Sequence, residues 1–518
     1  MKHFAFESKQ KTFLLGFMAL GAVCLAASYF IDPIGAENGH TRFWTNLLQN
    51  SAFFTLISFA ITFALAATTT AYAGWNIAFK RIWEAMSMFL PVGLLGLFIV
   101  WLGTVLGWHH IYPWADKNIV AHDKILTGKA AFLNAWWYLG AILFGAMWYF
   151  FATVLRKYSL AGDNDTVKTN YVWYKSSKVW SAAFMPIAGF TSAAAIWLWL
   201  MSIDPRWYST MYAWYATASA WVSGVAVTIL LLIYLKTKGQ FTWVTTEHLH
   251  DLGKFLFAFT IFWTYLWFSQ YMLIWYSNNG EETVYFRSRM GNYPVLYYGN
   301  LVVNFVLPFL ILMRNDTKRK FGTLVLCSIL VLFGHWWDFF QMVKIGPYER
   351  VLAMTHKAKN MEHGSDTKVI SAIVNKATPT SGEIEKKHEA EASKGETAIG
   401  GTEKKSEAEV SKGETAIGGT EKKSEVVENP EKENSEYVKS SLTYTAMGEK
   451  ELESINNANY FHYTPDMTAG YGLPGFLELG TMLGFMALFV FVVFSYLEKS
   501  PVLAENDPYI EESLHLVS

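Results

Sequence analysis

Residues 321–343 read FGTLVLCSILVLFGHWWDFFQMV, a run whose only acidic or basic side chains are His335 and Asp338. A helix over this run, rising about 1.5 Å per residue, crosses a hydrocarbon core of about 30 Å. Two ionisable groups inside such a run are expensive to keep there, which makes them functional candidates by default. The fold and the chemistry are therefore read from the same stretch.

Nine further runs resemble it in length and composition, at about 12–31, 47–73, 84–107, 130–155, 179–203, 211–235, 252–277, 293–313 and 474–497. Apolar residues make up 52% of the 518 and charged ones only 16%, against roughly 25% charged in a soluble domain. Trp108, Trp114, Trp136 and Trp137 gather at run ends, as interfacial belts require. The expectation is an all-α integral membrane protein of about ten transmembrane helices. Its domains are a tail over 1–11, nine spans over 12–343, an insertion over 344–473, a tenth span over 474–497 and a tail over 498–518.

Other classes fall away. The net charge of -1 gives nucleic acid no basic surface to meet. Cys24 and Cys327 stand singly in apolar runs, so there is neither a disulfide framework nor a thiolate metal site. Covalent haem has no CxxCH, and a membrane haem b would need two deep histidines where only His335 qualifies. Flavin and iron–sulfur motifs are likewise missing from the sequence. His109, His110, Asp116, His122 and Asp123 cluster between spans three and four without regular metal-ligand spacing.

Lys and Arg in the N-terminal tail and alternate loops number about 17, against about seven in the remaining loops. Both termini should then be cytoplasmic, and the insertion external. Within that insertion SKGETAIGGTEKKSE occurs at 393–407 and again at 411–425, rich in Glu, Lys, Ser and Gly. Such a stretch buries too little apolar surface to fold and is expected to be disordered. Small residues in the spans, such as Gly93, Gly96, Gly140, Ser219 and Ser223, read as helix-packing positions.

His335 lies about 15 residues from Lys320, or roughly 22 Å along the helix, in the external third of the membrane. Asp338 follows at i+3 on the same face. A histidine and a carboxylate so placed can exchange a proton or bond a quinone oxygen; a purely structural hydrogen-bonded pair is the other reading. Asp204, Arg206, Gln270 and Asn304 are expected to join them in the outer half, with Tyr265, Ser269 and Asn300 nearby and Pro308 as a kink site. Glu281, Glu282, Arg287 and Arg289 lie in the external loop. On the cytoplasmic side, Glu84, Asp251 and Lys254 are candidates for the inner mouth of a proton path, with interfacial anchoring as the alternative.

Three motifs, SIDPRWYSTMY (202–212), WFSQYMLIWYSNNGEET (267–283) and ENDPYIEES (505–513), resemble the membrane subunits of the polysulfide-reductase-C or NrfD-like type. Within that type the chain is most similar to the second such subunit of bacterial alternative complex III, a quinol:cytochrome c oxidoreductase. The resemblance implies two four-helix bundles, spans 2–5 and 6–9, with spans 1 and 10 peripheral. It also implies a bacterial inner-membrane location and a menaquinol or quinone pocket or a proton half-channel. Implied partners are an iron–sulfur subunit, multihaem and monohaem cytochromes c, a sister NrfD-like subunit and a terminal oxidase. A secondary transporter and a purely structural anchor remain as alternatives.

Overall fold

The computed structural model describes residues 4–36, 39–165, 171–377 and 470–516. Every regular element among them is helical. Ten helices are long and apolar enough to cross a membrane: Ser8–Phe30, Thr41–Thr70, Ile77–Val105, Ala135–Asp163, Val172–Ile203, Met211–Thr237, Thr246–Ser277, Pro294–Leu312, Phe321–Ala353 and Phe476–Glu498. The protein is an all-α, multi-pass membrane protein. The chain divides into two compact units, Met1–Thr355 with Thr464–Ser518, and His356–Tyr463. Within the second unit the described part is the helical stretch 356–377. The repeat and its expected disorder fall outside the described residues.

Spans two and six are the most buried, and the others surround them. Span two packs against spans three, five, six and ten, and span six against spans five and seven. Spans two to five form one group. Span nine binds six, seven and eight through Asp338, which accepts from residues of all three. Span one packs mainly on span ten, with most of its surface outward.

Span two can be polar yet buried because its hydroxyls bond its own carbonyls one turn back. Thr55 donates to Ser51 at 2.6 Å, Ser58 to Phe54 at 3.0 Å and Thr62 to Ser58 at 2.7 Å. Spans one and ten meet where neither has a side chain: a Cβ on Gly484 would lie 2.4 Å from the Gly21 Cα.

Two spans are broken, each for a local reason, and a third runs on past its expected end. Span three interrupts between Ser87 and Leu90, with Pro91 in the first turn of the second half. Span eight passes through a π-helical turn over Val302–Val306 just before Pro308, at the kink expected from the sequence. Span nine does not stop at 343 but runs on to Ala353. Lys344 looks like an end in sequence, but its Nζ lies 3.9 Å from Glu478 inside the protein. Trp108, Trp136 and Trp137 are exposed like belt residues, whereas Trp114 is buried.

The two ends of the bundle are closed differently. At the end carrying the termini, the segment after span ten folds back over the helix ends. There Asp507 pairs with Lys80 at 3.0 Å, and Asn506 donates to the carbonyls of Gly162 and Asp163. At the opposite end the helix Gly280–Asn292 carries Tyr285 and Arg289 inward.

Candidate functional site

Asp338 is 1% exposed and accepts hydrogen bonds on both oxygens. Tyr215 Oη and Asn300 Nδ2 (2.8 Å) donate to Oδ1; Trp263 Nε1 (3.2 Å) and Ser219 Oγ (3.3 Å) donate to Oδ2. Four neutral donors from spans six, seven and eight therefore converge on one carboxylate. Among the described residues it has no ion-pair partner. Four donors stabilise a buried carboxylate without a cation and fill its lone-pair positions, so it takes up a proton only where one of them gives way.

His335 sits one turn earlier. Its Nδ1 is 2.9 Å from Ser219 Oγ, and its ring meets the edge of Trp263 with centroids 5.2 Å apart. Asn304 donates to Asn300 Oδ1 at 2.6 Å, so it supports the Asp338 site from one residue away. Gly334 makes room for it: a Cβ there would lie 2.2 Å from Asn304 Oδ1.

Beside Asp338 lies a small cavity of ≈ 20 Å³, room for about one water molecule, lined chiefly by Tyr215, Gln270, Arg289, Tyr297, Asp338 and Gln341. Its walls have the donors that a quinone oxygen needs, but its volume does not admit a quinone ring. The site fits a water and a proton; it does not fit the head group.

At the cavity mouth Arg289 is held by Asp204 at 2.8 Å and lies over the Tyr285 ring at 3.4 Å. Burial works against its charge, but Tyr285 and Asp204 outweigh that and keep its pKa above the ordinary value. Burial pushes the Tyr285 hydroxyl up to about 12. Asp204 also faces Arg350 at 3.6 Å, and Arg350 donates to the carbonyl of Ile203 at 2.8 Å.

Gln270 lines the cavity with Asp338, while His335 and Asn304 reach Asp338 through Ser219 and Asn300. Asp204 stands one residue further out, behind Arg289. Arg206 does not join: the chain turns at Asp204–Pro205, leaving its side chain 67% exposed, 3.5 Å from Asp123. Tyr265 is 61% exposed and faces away from the site. Tyr215 and Trp263 carried no sequence signal, because aromatic side chains in spans are ordinary until a partner is seen, whereas Gln341 is an intramembrane amide like Gln270 and offered the same signal.

The three residues of the proposed inner mouth separate. Asp251 and Lys254 form an i,i+3 pair at 2.6 Å, with Lys254 half exposed. Glu84 belongs to another network, 2.8 Å from Arg81 and 3.9 Å from Arg156, while Arg81 also reaches Asp163 at 2.6 Å. Helix periodicity places Arg81 beside Glu84 at i,i+3 but could not reveal Arg156 and Asp163, which come from span four.

Among the described residues no group of three or more His, Cys, Asp or Glu could hold a metal ion. His109 is buried on the carbonyl of Val100 at 3.1 Å, and burial pushes it down to about 4. No family model matches the chain. No curated protein matches its sequence either.

Two of the three motifs come together in space, and the third lies at the other end of the bundle. The first supplies Asp204, the second Trp267 and Gln270 of the cavity wall, and the third Asp507 and Ser513 of the segment that covers the other end.

Proposed function

We propose that this chain is a membrane subunit of a quinol:cytochrome c oxidoreductase of the alternative complex III type, in which it carries protons rather than binding the quinol. The supporting observation is Asp338: a buried carboxylate with four neutral donors and, among the described residues, no cation paired to it, at the wall of a cavity sized for water. The same residue would serve as acceptor and donor of a proton in the half of the membrane away from the termini. The excess of Lys and Arg in the N-terminal tail and alternate loops supports a cytoplasmic side for both termini, and the family resemblance is what suggests a bacterial inner membrane. Electrons would then belong to partner iron–sulfur and haem c subunits, with a sister NrfD-like subunit taking the menaquinol.

A secondary transporter is the competing reading. It would need a solute-sized cavity, which the space beside Asp338 does not offer.

Purification from native membranes in mild detergent, with mass spectrometry of partners and a haem spectrum, tests the reading. Co-purifying c-type cytochromes and an iron–sulfur subunit support it. A chain that purifies alone and without haem overturns it.

A further inference from the structure

Six residues beyond Asp338 on the ninth span, about 9 Å along the helix, Lys344 is wholly buried. Its Nζ lies 3.4 Å from the Arg42 carbonyl and 3.9 Å from Glu478 Oε1, the second too far for a hydrogen bond. Glu478 is already occupied. Arg42 grips it through Nε at 2.7 Å and Nη2 at 2.9 Å, Asn46 donates at 3.2 Å, and the Gly475 N–H at 3.1 Å. The nearby carboxylate of Asp32 accepts from Tyr471 at 2.8 Å and from the N–H groups of Gly35 and Arg42. Around Nζ stand the Phe340 and Tyr471 rings, with centroids at 5.7 and 5.5 Å.

An ammonium with three donors is therefore offered one distant carbonyl and two ring faces. Glu478 and the rings favour the charged form, whereas burial and the shortage of acceptors favour the amine. A lysine balanced in this way can exchange a proton, which an arginine in the same place could not.

The ninth span also links Lys344 to the cavity. His335, Asp338, Gln341 and Lys344 follow at intervals of three. Each step turns about 300°, so the row winds roughly half a turn around the helix. It begins against span six, at Ser219, and ends against spans two and ten, at Arg42 and Glu478. Between the two ends Gln341 lines the cavity, and its buried Nε2 has no hydrogen-bond partner.

We propose that Lys344 is the proton acceptor serving the Asp338 cavity, with Gln341 orienting the first of the waters that must span the roughly 9 Å between them and Glu478 holding the arriving charge. In this step the O–H of the Asp338 carboxyl breaks, leaving a carboxylate, and an N–H forms on the Lys344 amine, giving an ammonium. Release of that proton toward the face opposite the termini restores the amine. The inference rests on Asp338 carrying protons.

The test uses the intact complex in vesicles, with menadiol as electron donor and cytochrome c as acceptor, following proton release. Lys344→Met and Lys344→Arg should both assemble and both lose proton movement, on the order of tenfold or more. A wild-type rate in Lys344→Met overturns the proposal. So does a wild-type rate in Lys344→Arg, because a fixed charge would then suffice. If neither variant assembles, Gln341→Leu decides: a loss of the same size supports the route, and unchanged proton release ends it. Asp338→Asn separates the two ideas, since normal proton release there removes the functional reading itself. Loss in Asp338→Asn with normal Lys344 variants removes only the lysine. A wild-type preparation without turnover overturns both.

Discussion

His335 and Asp338 stand one turn apart on span nine and are joined through a single hydroxyl of span six. Ser219 Oγ lies 2.9 Å from His335 Nδ1 and 3.3 Å from Asp338 Oδ2. The pair is thereby held in one orientation by a residue that the sequence offers only as a small packing position. A serine hydroxyl has one proton, so it can donate to the carboxylate or to the imidazole but not to both at once.

If that bridge carries protons, Ser219→Ala should slow quinol:cytochrome c turnover while leaving the complex assembled. Asp338→Asn, which keeps the shape and removes the exchangeable carboxyl proton, should lower turnover further, by about a hundredfold. Steady-state turnover of purified complexes checks both, with subunit content as the control for assembly. Normal turnover in Asp338→Asn would leave the site a structural tie.

Arg289 and Arg206 lie in neighbouring outer segments but differ in burial. Removing Arg289 leaves Asp204 short of its nearest cation in a mostly buried place, and Arg289→Ala should destabilise by about 3 kcal/mol. Arg206→Ala removes an exposed side chain and should change stability by less than about 0.5 kcal/mol. Thermal melting in detergent distinguishes the two; equal effects would contradict this account of the outer cap.

The contact between Gly21 and Gly484 leaves no space for a side chain. Gly484→Leu should separate span ten from span one and lower the melting temperature, with overpacking alone costing about 1–3 kcal/mol. Gly140→Leu is the control, because nothing lies within 4 Å of its Cβ position. A similar melting temperature for both variants would show that the helices adjust freely.

His109 gives the protein an acid-sensitive element outside the spans. Its folded value of about 4 lies below the ordinary 6.5. Below pH 6.5 the unfolded chain takes up a proton that the folded chain refuses. Stability present at neutral pH is therefore lost as pH falls from about 6.5 toward about 4. At pH 5 the loss is about 2 kcal/mol. His109→Gln should flatten the difference between melting temperatures at pH 7 and pH 5. An unchanged difference would assign the acid sensitivity to other groups.

The sequence alone determined the ten spans and the presence of His335 and Asp338 at depth. Both follow from hydrophobic run length, a property of consecutive residues that needs no partner. The row Asn300, Asn304 and Pro308 likewise follows from helical periodicity within one segment. Only the tertiary structure decided which polar groups meet. Tyr215, Ser219 and Trp263 reach Asp338 from other helices, and Glu478 meets Arg42 and Lys344 across more than a hundred residues of chain. Arg206, equally charged and only two residues from Asp204, turns outward. Burial and pairing between helices depend on how the spans pack, and no periodicity along a single span carries that information.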